Sequence, residues 1–366
     1  MKKTLVALAV LGSFAGVASA ATSVTLYGTV DAGYEGWSYG KDFSGYNSTF
    51  VQGSGAGPVA GLKSGNSEGN SKIGVKGQED LGNGLAATFQ LEGEINGDTG
   101  SSNLFNKEST VGLKGAFGEV KFGRSKSQME LALGGVVPGH RVADVDLYSV
   151  VSSRHSNGLF YSYDNAGFSF GADVTTKGGA LGDDHEGEKG QKVGWGVRAG
   201  YAGNVGGNVT LLARAAYQRD GVLSNNKQQY EAGGLLAAVV PYANNALTVG
   251  VAYAQGRGEA KDLVTAKFDA TPFNTTVDKA RTWSGVVAST FGPNDSAYVK
   301  YQQRKGKLED GSVAYNGNVW AIGYEHALSK RTSVYADVAY ATIKDTGGEK
   351  NKGTATGYSV GLSHSF

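Results

Sequence analysis

From Ser23 onward, hydrophobic and polar residues alternate with a period of two over most of the chain. Val24, Leu26, Val30, Ala32 and Tyr34 share one parity; Thr25, Thr29, Asp31 and Glu35 share the other. Ala87, Phe89, Leu91 and Ile95 stand against Thr88, Gln90, Glu92 and Glu94 in the same way, and Val209, Leu211, Ala213, Ala215 and Tyr217 against Thr210, Arg214 and Gln218. Further on, Val334, Ala336, Val338 and Tyr340 alternate with Ser333, Tyr335 and Asp337. At the end, Tyr358, Val360, Leu362, His364 and Phe366 alternate with small residues. Successive side chains of a strand point to opposite faces, so each segment predicts a β-strand with one apolar and one polar face. About sixteen such segments are present, an even number suited to a transmembrane barrel. They start near Ser23, Asn70, Leu85, Asn106, Glu119, Arg154, Ala166, Lys192, Asn208, Gln228, Asn245, Lys279, Asp295, Asn318, Arg331 and Thr354.

The connections alternate between short and long. Short ones fall near Leu81–Gly84, Phe117-Gly118, Asn165, Gly203–Gly207, Ala243-Asn244, Gly292–Asn294 and Ser329-Lys330, and most carry the Gly and Asn that tight hairpins need. Long ones cover about Lys41–Gly69, Lys126–Ser153, Lys177–Gln191, Asp220–Lys227, Gly256–Asp278, Gly306–Gly317 and Lys344–Gly353. Short periplasmic turns and long extracellular loops are the habit of outer-membrane barrels. Sixteen strands, each with a full polar face, would also need a core too large for a sandwich. With the apolar faces turned to lipid and the polar faces lining a lumen, closure pairs every backbone group. A barrel of this size is too wide for side chains to fill, so its bore holds water. The fold expected is therefore an all-β transmembrane antiparallel barrel. Tyr34, Trp195, Tyr201, Tyr217, Trp283, Trp320, Tyr340, Tyr358 and Phe366 lie near strand ends, where amphipathic rings match headgroup depth. Leu235 to Val240 is apolar on both faces, so this strand is either covered on its lumen side or in contact with a neighbouring subunit.

The first twenty residues follow a different rule. Lys2 and Lys3 precede an apolar stretch, and Ala18-Ser19-Ala20 offers a small-residue cleavage site. This is a secretory signal peptide, leaving residues 21–366 as one barrel domain. Of 34 basic and 33 acidic residues, cleavage removes two lysines, so the mature chain carries a net charge of −1. That balance gives no basic surface for nucleic acid. Charged residues are 18%, below the usual share of roughly 25%. There is no Cys, which rules out disulfides, thiolate metal sites and thiol catalysis. No cofactor is implied.

Four stretches resemble the general porins of Gram-negative bacteria, in particular the beta-proteobacterial trimeric family. They are Val24–Tyr34 (VTLYGTVDAGY), Ser71–Gly84 (SKIGVKGQEDLGNG), Thr110–Arg124 (TVGLKGAFGEVKFGR) and Tyr358–Phe366 (YSVGLSHSF) with its terminal Phe. The resemblance implies a homotrimer in the cell outer membrane, each barrel passing ions and small hydrophilic solutes by passive diffusion. It also implies a third extracellular loop, here Lys126–Ser153, folded into the lumen to set a constriction. The family's loop often carries a Pro-Glu-Phe-Gly type sequence; here Val137-Pro138-Gly139-His140 departs from it. By the same resemblance Lys72, Lys107 and Arg154 match basic wall positions, joined by Arg124. Glu130, Arg141, Asp144 and Asp146 supply the loop charges. Parity independently places Lys72 and Arg154 on the lumen side; for Lys107 the strand alternates too poorly to decide.

Rival functions are a substrate-specific channel, an adhesin barrel and an outer-membrane enzyme. The last rests on Arg154-His155-Ser156-Asn157, a base beside a hydroxyl. Adjacent strand residues face opposite ways, which separates such a pair.

Overall fold

The computed structural model describes residues 22–39, 46–47, 59–63, 71–135, 142, 153–178, 187, 191–224, 227–257, 265–268, 271–272, 278–307, 311, 313–345 and 352–366. The signal segment lies outside these residues. Sixteen long strands make one closed antiparallel barrel. They are β1 Ser23–Tyr39, β2 Lys72–Gly82, β3 Leu85–Asn96, β4 Ser101–Gly115, β5 Gly118–Lys126, β6 Arg154–Asn165, β7 Phe168–Lys177 and β8 Val193–Asn204. Then come β9 Thr210–Ser224, β10 Lys227–Tyr242, β11 Asn245–Arg257, β12 Lys279–Phe291, β13 Asp295–Lys307, β14 Val313–Ala327, β15 Thr332–Asp345 and β16 Lys352–Ser365. Each pairs with its sequence neighbours, and β1 closes the ring on β16 from Thr29↔Ser365 to Tyr39↔Ala355.

The expected strand starts agree with these within a few residues at most positions. The largest differences are β4, at Ser101 rather than Asn106, and β14, at Val313 rather than Asn318. There the ladder extends into sequence that does not alternate. A further short strand, Val59–Lys63, sits inside the first long connection. Only Ser23–Thr29 of β1 pairs with β2, and the short strand takes over the ladder along Gly33–Trp37. Ser71 bridges the two stretches: its hydroxyl donates to the Asp31 carbonyl at 2.9 Å and accepts from the Asp31 amide at 2.9 Å. Tyr46–Asn47 and Thr265–Phe268 also pair, tying the first long connection to the one after β11.

The faces have the expected sign. Leu26, Val111, Phe122, Val251, Val287, Ile322, Val338 and Val360 point outward and are 50–60% exposed on the isolated barrel. Asp31, Glu92, Asp173, Gln218, Gln302 and Asp337 point inward. Leaving each large apolar side chain in water would forfeit about 1.5–3 kcal/mol, so this surface belongs out of water, against lipid or another protein. Outward rings form a band across neighbouring strands: Trp195–Tyr217 (5.4 Å), Tyr217–Tyr230 (6.1 Å), Tyr253–Trp283 (4.4 Å), Tyr301–Trp320 (4.5 Å) and Tyr34–Tyr358 (6.4 Å). The band fits one membrane interface. Among the described residues no helix is long and apolar enough to cross a membrane.

Candidate functional site: the lumen constriction

After β5 the chain turns inward. Gln128–Leu133 forms a short helix, α1, capped by the Ser127 hydroxyl, which accepts from the Glu130 amide at 3.4 Å. The two ends of the loop are tied by Ser127 N–H donating to the Ser153 carbonyl at 2.8 Å. The helix lies against the inner faces of β7 to β10. Met129, Ala132 and Leu133 pack on Ala216, Leu235, Ala252 and Ala254, with Leu212 alongside. The double-sided apolar run at Leu235 is thus covered on its lumen side, which resolves the two alternatives its sequence left open. A Cβ on Gly196 would crowd the Gln128 side chain, and one on Gly233 would crowd the Met129 tip. Small inward residues therefore hollow out a seat for the helix. Polar contacts complete it. The Met129 amide donates to Gln218 Oε1 (3.1 Å), and Arg214 Nη1 reaches the carbonyls of Leu131 (3.4 Å) and Gly134 (3.3 Å). A guanidinium here satisfies carbonyls that the helix C-terminus leaves open.

The four expected basic wall residues converge on β2 to β6. Lys107 lies in the electrostatic field of Arg154 and Lys72, and Arg124 in that of Arg154. Arg124 is fixed by Nε donating to the Asn106 carbonyl (2.7 Å) and Nη1 to the Ser156 hydroxyl (2.5 Å). Three wall carboxylates stand among them. Glu92 Oε2 is 3.3 Å from Lys72 Nζ and accepts from the Tyr27 hydroxyl at 3.0 Å. Glu94 Oε2 accepts from Asn106 Nδ2 at 3.5 Å, and its own amide donates back to Asn106 Oδ1 at 3.1 Å. Glu108 Oε1 accepts from the Lys126 amide at 3.3 Å. Glu92 and Glu94 were legible only as polar strand positions, because nothing local marks an alternating Glu as part of a charge cluster, and Glu108 lies where the alternation fails.

Two breaks in the ladder shape this wall. Between β3 and β4 the register jumps from Glu92↔Glu108 to Glu94↔Asn103, with Phe105 at φ 63°, which is why the parity of Lys107 could not be read. Between β5 and β6 the pairing skips from Gly123↔Gly158 to Ser125↔His155, with Asn157 at φ 49°. Bulges of this kind re-aim side chains. As a result His155 and Ser156 are both buried, against the simple alternation expected of them. They still do not form a nucleophile–base pair. His155 Nδ1 is 2.6 Å from Asp173 Oδ2, whereas Ser156 is held by Arg124.

Of the expected loop charges, Glu130 is engaged by Lys126, Nζ to Oε1 at 3.0 Å. Arg141, Asp144 and Asp146, and the Val137–His140 stretch, lie outside the described residues.

A lumen of this construction agrees with comparisons to known proteins. The family model described as Gram-negative porin matches residues 7–348. An outer membrane porin protein of Bordetella pertussis is 30% identical, and the major outer membrane protein P.IB of Neisseria meningitidis also 30%, each covering 100% of both chains. The anion-selective porin from Comamonas acidovorans shares the fold at a TM-score of 0.62 and 23% identity, over 94% of this chain and 100% of that one. Outward apolar faces, a polar bore and family membership over nearly the whole length coincide: the chain belongs to the Gram-negative porins, which reside in the outer membrane and pass solutes by passive diffusion.

Proposed function

We propose that the channel is a general diffusion pore with a weak preference for anions, working as a homotrimer after its first twenty residues are removed. The observation that carries the selectivity is the gathering of Lys72, Lys107, Arg124 and Arg154 on one wall, facing a bore narrowed by α1. Fixed charges on a narrow, low-dielectric passage bias the local concentration of mobile ions of opposite sign. Each solute moves down its own gradient, and no step needs an energy source. The Comamonas porin of the same fold is anion-selective.

Support for a trimer comes from a gap in the aromatic band. Between Tyr46 and Tyr148 the chain has no Tyr and no Trp, so β2 to β5 offer no amphipathic anchor to the lipid headgroups. Their outward residues include Val111 and Leu113, a face better suited to another protein surface. A neighbour in fold, the OmpT outer membrane protein of Vibrio cholerae, is described in trimer form. The protein extracted from outer membranes should begin at Ala21 and run unheated at the mass of three chains; a monomer would remove this part of the proposal.

The test of selectivity is the reversal potential across a planar bilayer under a salt gradient. Lys72→Ala combined with Arg154→Ala should move it toward cations. An unchanged potential would take both residues out of the constriction.

A further inference from the structure

Among the described residues, the basic wall carries carboxylates of its own. We infer that Glu92, Glu94 and Glu108, on the same wall as the basic cluster, set the ion selectivity of this channel by neutralising most of it in place. The inference rests on the reading of that wall as the constriction and adds three specificity-determining residues to it.

Three observations carry it. Glu92 touches Lys72 at 3.3 Å, and the Tyr27 hydroxyl, itself held by Gln90 Nε2 at 2.8 Å, keeps the carboxylate from turning away. Glu94 and Glu92 both act electrostatically on Lys107, and Glu108 acts on Arg124. Glu130, the one expected loop acid among the described residues, is already tied to Lys126. Among the described residues, the three carboxylates therefore offset most of the charge of Lys72, Lys107, Arg124 and Arg154 within one patch. An ion passing at a distance larger than the pair separation feels each Lys–Glu contact as a dipole rather than as a charge, and dipolar fields fall off faster than the field of an isolated ion. The register break at Gly93 lets the adjacent Lys107 and Glu108 both be buried at this wall, so the bulge is part of the selectivity device.

The experiment is the same reversal-potential measurement on the full mature channel, with the acids changed instead of the bases. Glu92→Gln should raise the anion-to-cation permeability ratio by roughly two- to threefold, and Glu94→Gln, which leaves the Lys72 contact intact, should shift it in the same direction. A charge exchange, Lys72→Glu with Glu92→Lys, should leave the ratio near the original, whereas Lys72→Glu alone should drive it toward cations. Because Glu94→Gln removes no ion pair, it serves where the Glu92 variants fail to assemble. If neutralising the acids leaves the potential unchanged while Lys72→Ala with Arg154→Ala shifts it, the inference is wrong and the basic-wall reading survives. If neither set shifts it, the constriction lies elsewhere and both fall.

Discussion

Leu133→Asp should open the channel, raising single-channel conductance on the order of twofold along with the largest solute admitted. Leu133 is 3% exposed and sits with Met129 and Ala132 on an apolar seat of Ala216, Leu235, Ala252 and Ala254. Burying Met129 and Leu133 contributes about 1.5–3 kcal/mol each. A carboxylate placed in that seat without a partner costs several kcal/mol, more than the remaining contacts return. The helix then leaves the wall, while the ladder hydrogen bonds of the barrel are untouched. Met129→Leu keeps volume and polarity and should leave conductance near the original. A closed or unaltered pore in Leu133→Asp would mean that α1 does not narrow the bore.

Val338→Arg should destabilise the folded barrel by about 2–4 kcal/mol, because an arginine near mid-strand on the lipid face must be dehydrated. Val338 is 53% exposed on the outer surface and lies beside Ile322 in the ladder. The expected readout is loss of the heat-modifiable folded band and a lower urea midpoint for refolding into vesicles. Gln90→Lys, also mid-strand but facing inward, should assemble normally. Equal destabilisation by both would contradict the assignment of faces.

Much of this architecture was legible in the sequence because a membrane barrel writes its structure in a two-residue code. Asp31, Glu35 and Asp337 could be placed inward, and Val338 and Tyr358 outward, from parity alone. Short turns were legible from local chemistry: Asn83 and Gly84 adopt φ of 55° and 75°, conformations those residues tolerate. Parity failed where the ladder itself breaks. Asn157 and Phe105 carry no composition that announces a bulge, so the burial of His155 and the setting of Lys107 had to be seen. The helix seat was illegible for another reason. It is assembled from single small residues on several strands, and α1 is too short to show a helical period. Its traces were Leu235, apolar where a lumen face calls for a polar residue, and the apolar Leu131–Pro138 stretch of the long loop. Glu92 and Glu94 were visible as polar strand positions and Glu108 was not, and the pairing of all three with the basic cluster is a cross-strand property that no single segment contains.

The central claim is an open aqueous bore enclosed by an apolar outer surface, and conductance measured with size-graded neutral polymers tests it most directly. Purified mature protein in a planar bilayer should give discrete ohmic steps; small polymers should enter the bore and reduce the conductance, and larger ones should leave it unaffected beyond a sharp cut-off. Absence of steps, or conductance indifferent to polymer size, would contradict a water-filled channel.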